Sequence, residues 1–242
     1  MQWFRSYLSD RQQQVSCNGT LSKFLSIKYG VPQGSILGPL LFIIYVNDLP
    51  NSSTLLHYIL FADDTNVFLS HTSYDQLFKP ANKELKSTSE WFKANKLSLN
   101  VSKTNFILFR SSKKQIPPNI NNIIIDDRIN PQVATSKFLG VHIDQHLKWK
   151  THTEEINKKN TKSIGILIRI SYLLPSHILT NLYYTLIYLY LTYGSIIWTS
   201  AYNTHLNKLK LAQKKAVRII TKSPTNTHTL LPCAVNSMSS SD

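Results

Sequence analysis

Two aspartates in succession, Asp63 and Asp64, are the clearest candidates for chemistry in this 242-residue chain. In mid-strand, adjacent side chains point to opposite faces, so neighbouring carboxylates could not serve one site. At the turn of a hairpin they can project together. Residues 58–62 before the pair and 66–69 after it are apolar enough to read as a strand, a tight turn and a strand. Burial of Phe61, Ala62, Val67 and Phe68 is expected to hold that hairpin down. Two carboxylates at one turn suit a hard cation such as Mg²⁺, which takes carboxylate oxygens together with substrate phosphates. Adjacent acids also sit solvated in turns, and Asp126-Asp127 reads as that case.

The elements that must position the pair follow from hydrophobic periodicity. Residues 21–29 alternate apolar and polar, which predicts a half-buried strand running into the turn Gly30-Val31-Pro32-Gln33-Gly34. An apolar run over 36–46, with Pro39 near its start, predicts a buried helix that stops at Asn47-Asp48-Leu49-Pro50. Asp48 reads as a cap or turn residue. Leu77, Ala81, Leu85, Thr88 and Phe92 recur at three and four, as one face of a helix does. Residues 96–100 and 105–109 read as a strand pair, 113–122 (with Pro117 and Pro118) as a loop, and 123–125 and 137–143 as short strands. After Trp149 strand signals give way to helices, which places a boundary there.

The net charge is +14 and the pI about 9.7. Such a balance points to a polyanionic partner, nucleic acid before an acidic membrane surface. From His146 onward the chain carries +9, against +5 before it, so the later part is the expected backbone-binding surface. Cys17 and Cys233 match no zinc spacing and suggest a reducing compartment without a disulfide framework. Residues 1–10 mix Arg5 and Asp10 with aromatics and have no signal-peptide core. The expectation is an intracellular protein of the nucleus or cytoplasm.

The order of motifs carries more than any one of them. Phe61-Ala62-Asp63-Asp64 resembles the aromatic-x-Asp-Asp signature of reverse transcriptases. Upstream, Gly30-Val31-Pro32-Gln33-Gly34-Ser35-Ile36-Leu37-Gly38-Pro39 and Tyr45-Val46-Asn47-Asp48-Leu49-Pro50 resemble the form found in non-LTR (LINE) elements of the jockey-like group. Downstream, Leu97-Ser98-Leu99-Asn100-Val101-Ser102-Lys103-Thr104 is similar to the next palm motif. Phe138-Leu139-Gly140-Val141-His142-Ile143-Asp144, then Leu147-Lys148-Trp149 and His152, is similar to the primer grip and its LINE continuation. The resemblance spans most of residues 3–150.

The resemblance implies roles. Asp63 would ligate the catalytic Mg²⁺ (or Mn²⁺), with Asp64 beside it. Pro32, Gln33 and Gly34 would shape the turn against the incoming deoxynucleotide, with a plain Pro–Gly turn as the bland alternative. Lys103 would contact the triphosphate or protonate the leaving pyrophosphate, or be a solvated lysine before a strand. The residues Phe138, Leu139 and Gly140 would press on the primer end. The partners implied are an RNA template and a DNA primer. The family places another metal-binding aspartate in an earlier palm strand, and no segment here matches it. The chain opens on what resembles the helix and linker after that strand, with the fingers absent. The expectation is therefore a piece of the polymerase, inactive alone, whose N-terminal half is missing or supplied as a partner.

Residues 170–207 contain no Lys, Arg, Asp or Glu, and 179–198 is apolar enough to raise a membrane span as one alternative. Six tyrosines from Tyr172 to Tyr193, several threonines and Gly194 favour a buried helix, and the stretch resembles a LINE thumb. Residues 206–220 then form a basic amphipathic pattern. Leu209, Ala212, Ala216 and Ile219 or Ile220 would face inward, leaving Lys208, Lys210, Lys214 and Lys215 for phosphates or solvent. The fold class expected is α+β: a partial right-hand polymerase palm (antiparallel sheet with helices) over residues 1–149, then an all-helical thumb over 150–229. Residues 230–242 depart from the family and read as a disordered tail. A non-catalytic nucleic-acid-binding remnant is the other alternative.

Overall fold

In the computed structural model the described residues are 2–114 and 122–224. They form a mixed α+β chain of helices and short antiparallel hairpins, arranged in two compact units. One unit is Met1–Asn100 with Ile120–Ile129, and the other is Val101–Asn119 with Asn130–Asp242. Most of the 113–122 loop, Cys233 and the divergent tail lie outside the described residues.

The first unit opens with α1 (Gln2–Leu8) and two small ladders. β1 (Gln12–Gln13) pairs with β4 (Leu25–Ser26), and β2 (Ser16–Cys17) pairs with β3 (Thr20–Leu21). The inner hairpin turns at Asn18-Gly19, both at positive φ, a dipeptide whose twist suits paired strands. The half-buried strand expected over 21–29 does not form. Ser22 exchanges hydrogen bonds with Val15 through both its N–H and its hydroxyl, which interrupts the alternation. The facing residues are mainly glutamine and serine, so Leu21 and Leu25 find no apolar partner and stay exposed.

α2 (Leu37–Val46) forms as its composition predicts, but it is not buried. Gly38 and Val46 alone are fully buried, Leu37, Leu41 and Phe42 are half-buried, and Ile36 beside it is 95% exposed. A helix apolar all round needs cover on every side, and this unit covers one. A 3₁₀ turn, Leu49–Ser52, follows; Asp48 sits at its start and its carbonyl accepts from Asn51 N–H, the turn role expected of it. β5 (His57–Phe61) and β6 (Asp64–Phe68) then pair antiparallel, in register from His57↔Phe68 to Phe61↔Asp64.

α3 (Tyr74–Ala94) buries Phe78, Ala81, Thr88 and Ser89, and carries Pro80 inside it at the loss of a helical hydrogen bond. Its end explains why 96–100 is not a strand. Lys96 takes φ 55°, Leu97 N–H reaches back to Phe92 O, and Lys96 N–H reaches Lys93 O. That is a Schellman-type stop, which turns the chain sharply. β7 (Ile124–Ile125) and β8 (Arg128–Ile129) form the last hairpin of the unit around Asp126-Asp127, both at positive φ. Asp126 is more than a solvated turn acid: its carboxylate accepts from Ser89 Oγ and Lys93 Nζ, each at 2.5 Å. Hydrogen bonds from Lys93 and Ser89 hold the Asp126 carboxyl below its usual range, and Asp126 raises Lys93 in return.

In the second unit residues 105–109 find a partner other than 96–100. Phe106 N–H donates to Pro131 O and Val133 N–H to Phe106 O, an isolated parallel bridge. β9 (Thr135–Phe138) and β10 (Val141–Asp144) form a tight hairpin where one continuous strand was expected. Then come α4 (Lys150–Ile170), α5 (Ser176–Tyr183), a π-helical turn (Tyr184–Tyr188), α6 (Leu189–Thr192), α7 (Ser195–Trp198) and α8 (Asn203–Thr221). α4 packs on α8, and the apolar stretch between them is folded into the same core. Leu179, Tyr183, Ile187, Leu191 and Trp198 are buried there, and Gly194 at φ 61° breaks the stretch. Among the described residues no helix is long and apolar enough to cross a membrane.

Candidate active site

Asp63 lies in the two-residue connection between β5 and β6, and Asp64 is the first residue of β6, opposite Phe61. Both are exposed. Ala62, before them, takes φ 52°, a left-handed conformation that costs a residue with a Cβ about 1–2 kcal/mol. The strain sits at the turn that presents the acids. The flanking apolar residues do not hold the hairpin down by burial as expected: Phe61 and Phe68 are exposed and Val67 is half-buried. What holds it is the ladder, with Tyr58 Oη bonded to Thr88 Oγ1 (2.6 Å) of α3 and to Ser52 Oγ (3.0 Å).

Pro32, Gln33 and Gly34 form an exposed turn in which Pro32 O accepts from Ser35 N–H (3.2 Å) and Gly34 takes φ 79°. Ser35 Oγ accepts from Gly38 N–H and starts α2; a Cβ at Gly38 would meet that hydroxyl at 2.9 Å. Lys103 is exposed in the turn over 101–103. These groups stand on separate local elements: Asp63, Asp64 and 32–34 in the first unit, Lys103, 138–140 and the α8 lysines in the second. No cluster of three or more His, Cys, Asp or Glu that could hold a metal occurs among the described residues. Asp63 and Asp64 stand as two adjacent exposed carboxylates without a third metal-ligating group beside them among the described residues.

The hairpin at 138–140 is the most fully determined of the sites. Leu139 (φ 44°) and Gly140 (φ 85°) are its two-residue turn. Tyr193 Oη donates to Leu139 O at 2.5 Å, and a Cβ at Gly140 would lie 3.2 Å from the Tyr193 ring. Across the same contact, a Cβ at Gly194 would lie 3.3 Å from Val141 Cγ2. Two glycines therefore let the hairpin and the break at Tyr193-Gly194 approach closely. His142 N–H donates to His152 Nδ1 (3.3 Å), which places the neutral His152 proton on Nε2. His152 is buried edge-on against Trp198. Burial, with His142 and Lys159 adding to it, pushes it down to about 4. Asp144, the last residue of the hairpin, orders the turn that leads into α4: its carboxylate accepts from the N–H groups of His146, Lys148 and Trp149.

On α8, Leu206, Leu209, Gln213, Ala216 and Ile220 face the core, so Gln213 joins the stripe while Ala212 and Ile219 are half-buried. Gln213 Nε2 donates to Tyr183 Oη (2.8 Å). Burial raises Tyr183 against that bond, with Tyr184 and Tyr188 adding to the rise. Lys208 and Lys215 are exposed, and Lys210 and Lys214 half-buried.

Residues 1–143 match the model of the reverse transcriptase (RNA-dependent DNA polymerase) family. The chain belongs to that family. Among curated relatives, the protein named "Probable RNA-directed DNA polymerase from transposon X-element" of Drosophila melanogaster is 31% identical over 90% of this chain and 24% of its own length. The RNA-directed DNA polymerases from mobile element jockey of D. melanogaster and D. funebris are 26% and 25% identical, over 91% and 92% of this chain and 25% of each relative. The chain thus spans about a quarter of the length of these relatives, and it is a non-LTR retrotransposon reverse transcriptase sequence of the jockey-like kind. No solved structure matches it significantly.

Sequence reasoning missed Tyr193, His152 and Asp144 as residues that fix the hairpin around residues 138–140. Tyr193-Gly194 stood out only as a resemblance to a thumb. A tyrosine next to a glycine, in a stretch without charges, was the available signal.

Proposed function

We propose that this chain contributes the later palm and the thumb of a retrotransposon RNA-directed DNA polymerase. Residues 1–149 correspond to palm and 150–229 to thumb, a division by ancestry rather than by compactness. Asp63, with Asp64, supplies carboxylates to Mg²⁺ or Mn²⁺; the turn at Pro32, Gln33 and Gly34 faces the deoxynucleotide; Lys103 acts on its phosphates. Phe138, Leu139 and Gly140 bear on the DNA primer, paired to an RNA template. When bound, the metal would neutralise the phosphates and the developing charge at the transferred group. The observation that carries this reading is the pair of exposed carboxylates at a strained hairpin turn, in a chain of this family.

A partial donor set predicts the outcome of a primer-extension assay. The purified 242-residue polypeptide, given DNA-primed RNA, deoxynucleotides and Mg²⁺ or Mn²⁺, should not extend the primer. Joined behind the N-terminal part of a jockey polymerase, which we take to hold the remaining carboxylate, it should extend, and Asp63→Ala should abolish extension. A chimaera that extends equally well with Asp63→Ala removes Asp63 from the chemistry.

A second reading, nucleic-acid binding without synthesis, is favoured by the charge of the later part and the lysines on the outer side of α8. Replacing Lys208, Lys210, Lys214 and Lys215 by Ala should weaken binding to every sequence alike and flatten its salt dependence. Unchanged binding would make that face a solvation surface.

A further inference from the structure

The structure brings together two basic segments that lie far apart in the sequence. Arg110 N–H donates to Gln145 O (3.1 Å), and His146 Nδ1 lies 2.9 Å from Arg110 O. A carbonyl can only accept, so Nδ1 carries the proton of that bond. These ties set residues 110–114 (Arg110, Ser111, Ser112, Lys113, Lys114) beside 146–150 (His146, Lys148, Lys150). A third segment is pinned to them by Trp149 Nε1, which donates to Ser200 Oγ (3.1 Å). Between the three lies an open cleft of about 340 Å³.

Its lining is rich in donors and, among the described residues, contains no acid. Ser111, Ser112, His146, Lys148, Ser200 and Tyr202 face it, and Leu147 is the one aliphatic residue among the described lining. The nearby carboxylate, Asp144, is engaged by three backbone N–H groups and forms no ion pair with Lys148 among the described residues. Ser111 Oγ accepts from Lys113 N–H (3.3 Å), which leaves its own proton to give. Ser200 gives its proton to Ile197 O (3.3 Å) and is framework rather than donor. An ammonium with free hydroxyl donors around it suits a phosphate oxygen. The donors that carry the cleft, an ammonium and hydroxyls, are those that contact phosphates without reading sequence.

We propose that this cleft binds a phosphodiester of a nucleic-acid strand held by the second unit, chiefly through Lys148, Ser111, Ser112 and Tyr202. The proposal rests on the nucleic-acid reading above and adds a contact point apart from α8.

Fluorescence anisotropy of a labelled DNA strand annealed to RNA, titrated with the full chain over a range of salt, tests it. Ser112→Asp puts a negative charge in the cleft and should weaken binding about tenfold. Lys148→Gln should lower the slope of log K against log salt by about 1. Circular dichroism and thermal unfolding should match the parent chain for both. Parent-like affinity and slope in both variants, while the α8 quadruple variant loses binding, overturns the cleft and leaves the nucleic-acid reading standing. A parent chain that does not bind the hybrid overturns that reading and the cleft with it. A free deoxynucleoside triphosphate, added as competitor, should not displace the strand from the parent more than from Lys148→Gln. If it does so selectively, the site takes free nucleotide and the strand assignment is wrong.

Discussion

The two units bury their apolar residues in different ways. The second gathers Val141, Trp149, Leu167, Leu179, Trp198 and Leu209 with their neighbours into one continuous core. The first carries an equally apolar helix, α2, whose Leu40, Ile43, Ile44 and Tyr45 are exposed, beside a two-stranded hairpin with Ile59, Phe61 and Phe68 exposed. A lone two-stranded ladder is marginal in water, and its open edges invite pairing. The candidate catalytic acids stand on the sparsely covered side, and the candidate primer grip on the well-packed one. The candidate acids thus stand apart from the continuous core, while the candidate primer-grip turn is braced against it.

Core truncation should separate the units most sharply. Trp198 is buried and its Nε1 donates to Tyr193 O (2.9 Å). Trp198→Ala should cost about 3–5 kcal/mol, read as a fall in the urea midpoint. Ile36→Ala and Ile44→Ala should stay within about 0.5 kcal/mol, as surface changes do. Limited proteolysis with mass spectrometry gives the same contrast without mutation: α4 to α8 should outlast residues 2–94. Equal sensitivity at Ile44 and Trp198 would show that α2 is covered in solution.

The next largest effect depends on pH. His152 is depressed to about 4 in the folded chain, against an ordinary 6.5. Between those values the unfolded chain binds the extra proton, so stability falls as the pH drops from 6.5 towards 4 and levels off below. The loss is on the order of 2–3 kcal/mol. The charged groups facing His152 are His142 on β10 and Lys159 on its own helix, and both oppose its protonation. His152→Asn keeps an acceptor for His142 N–H but cannot titrate. Comparing urea midpoints at pH 7 and pH 4.5, the variant should lose less than the parent; an equal loss would place the acid sensitivity elsewhere.

This contrast also shows what could be read from sequence. The β5–β6 turn, α2, α3 and the inward stripe of α8 were legible because periodicity and turn residues are local signals. The family was legible because four motifs kept their order. The strand pair over 96–100 and 105–109 was not, since its fate hung on Lys96 adopting a left-handed stop and on Phe106 finding residues 131–133. Nor did any local pattern announce that α2 would be left uncovered. The support of 138–140 by Tyr193 and His152 joins residues 54 and 10 positions apart along the chain, and only the fold could show it.

Tyr193→Phe probes that support with a smaller change. It removes the hydroxyl that holds Leu139 O while keeping the ring against Gly140. The net loss should be about 0.5–1.5 kcal/mol, toward the low end because Tyr193 is itself exposed. Hydrogen exchange should quicken at residues 138–142 and leave α4 and α8 unchanged. Uniform quickening across the second unit would mean that Tyr193 supports the whole core rather than the hairpin.

The smallest effect belongs to the first unit and follows from how it is joined. The first unit joins its β7–β8 segment to α3 through Asn82, which donates to Asn122 O and accepts from Ile124 N–H, and through a contact of Asp126 with Lys93 and Ser89. Lys93 is mostly exposed, so the pair is screened by salt and worth little. Its sign can still be read. The Asp126 carboxyl sits below its ordinary 3.8 in the folded chain, so the contact stabilises above that value and is lost as the pH falls through the lowered one. Asp126→Asn should therefore lower the unfolding midpoint of the first unit slightly at pH 7 and low salt. The difference from the parent should shrink in 1 M salt, and again at pH 2–3. A difference that persists at high salt would mean that the hydrogen bond from Ser89 Oγ, and not the charge of Lys93, is what the Asp126 contact contributes.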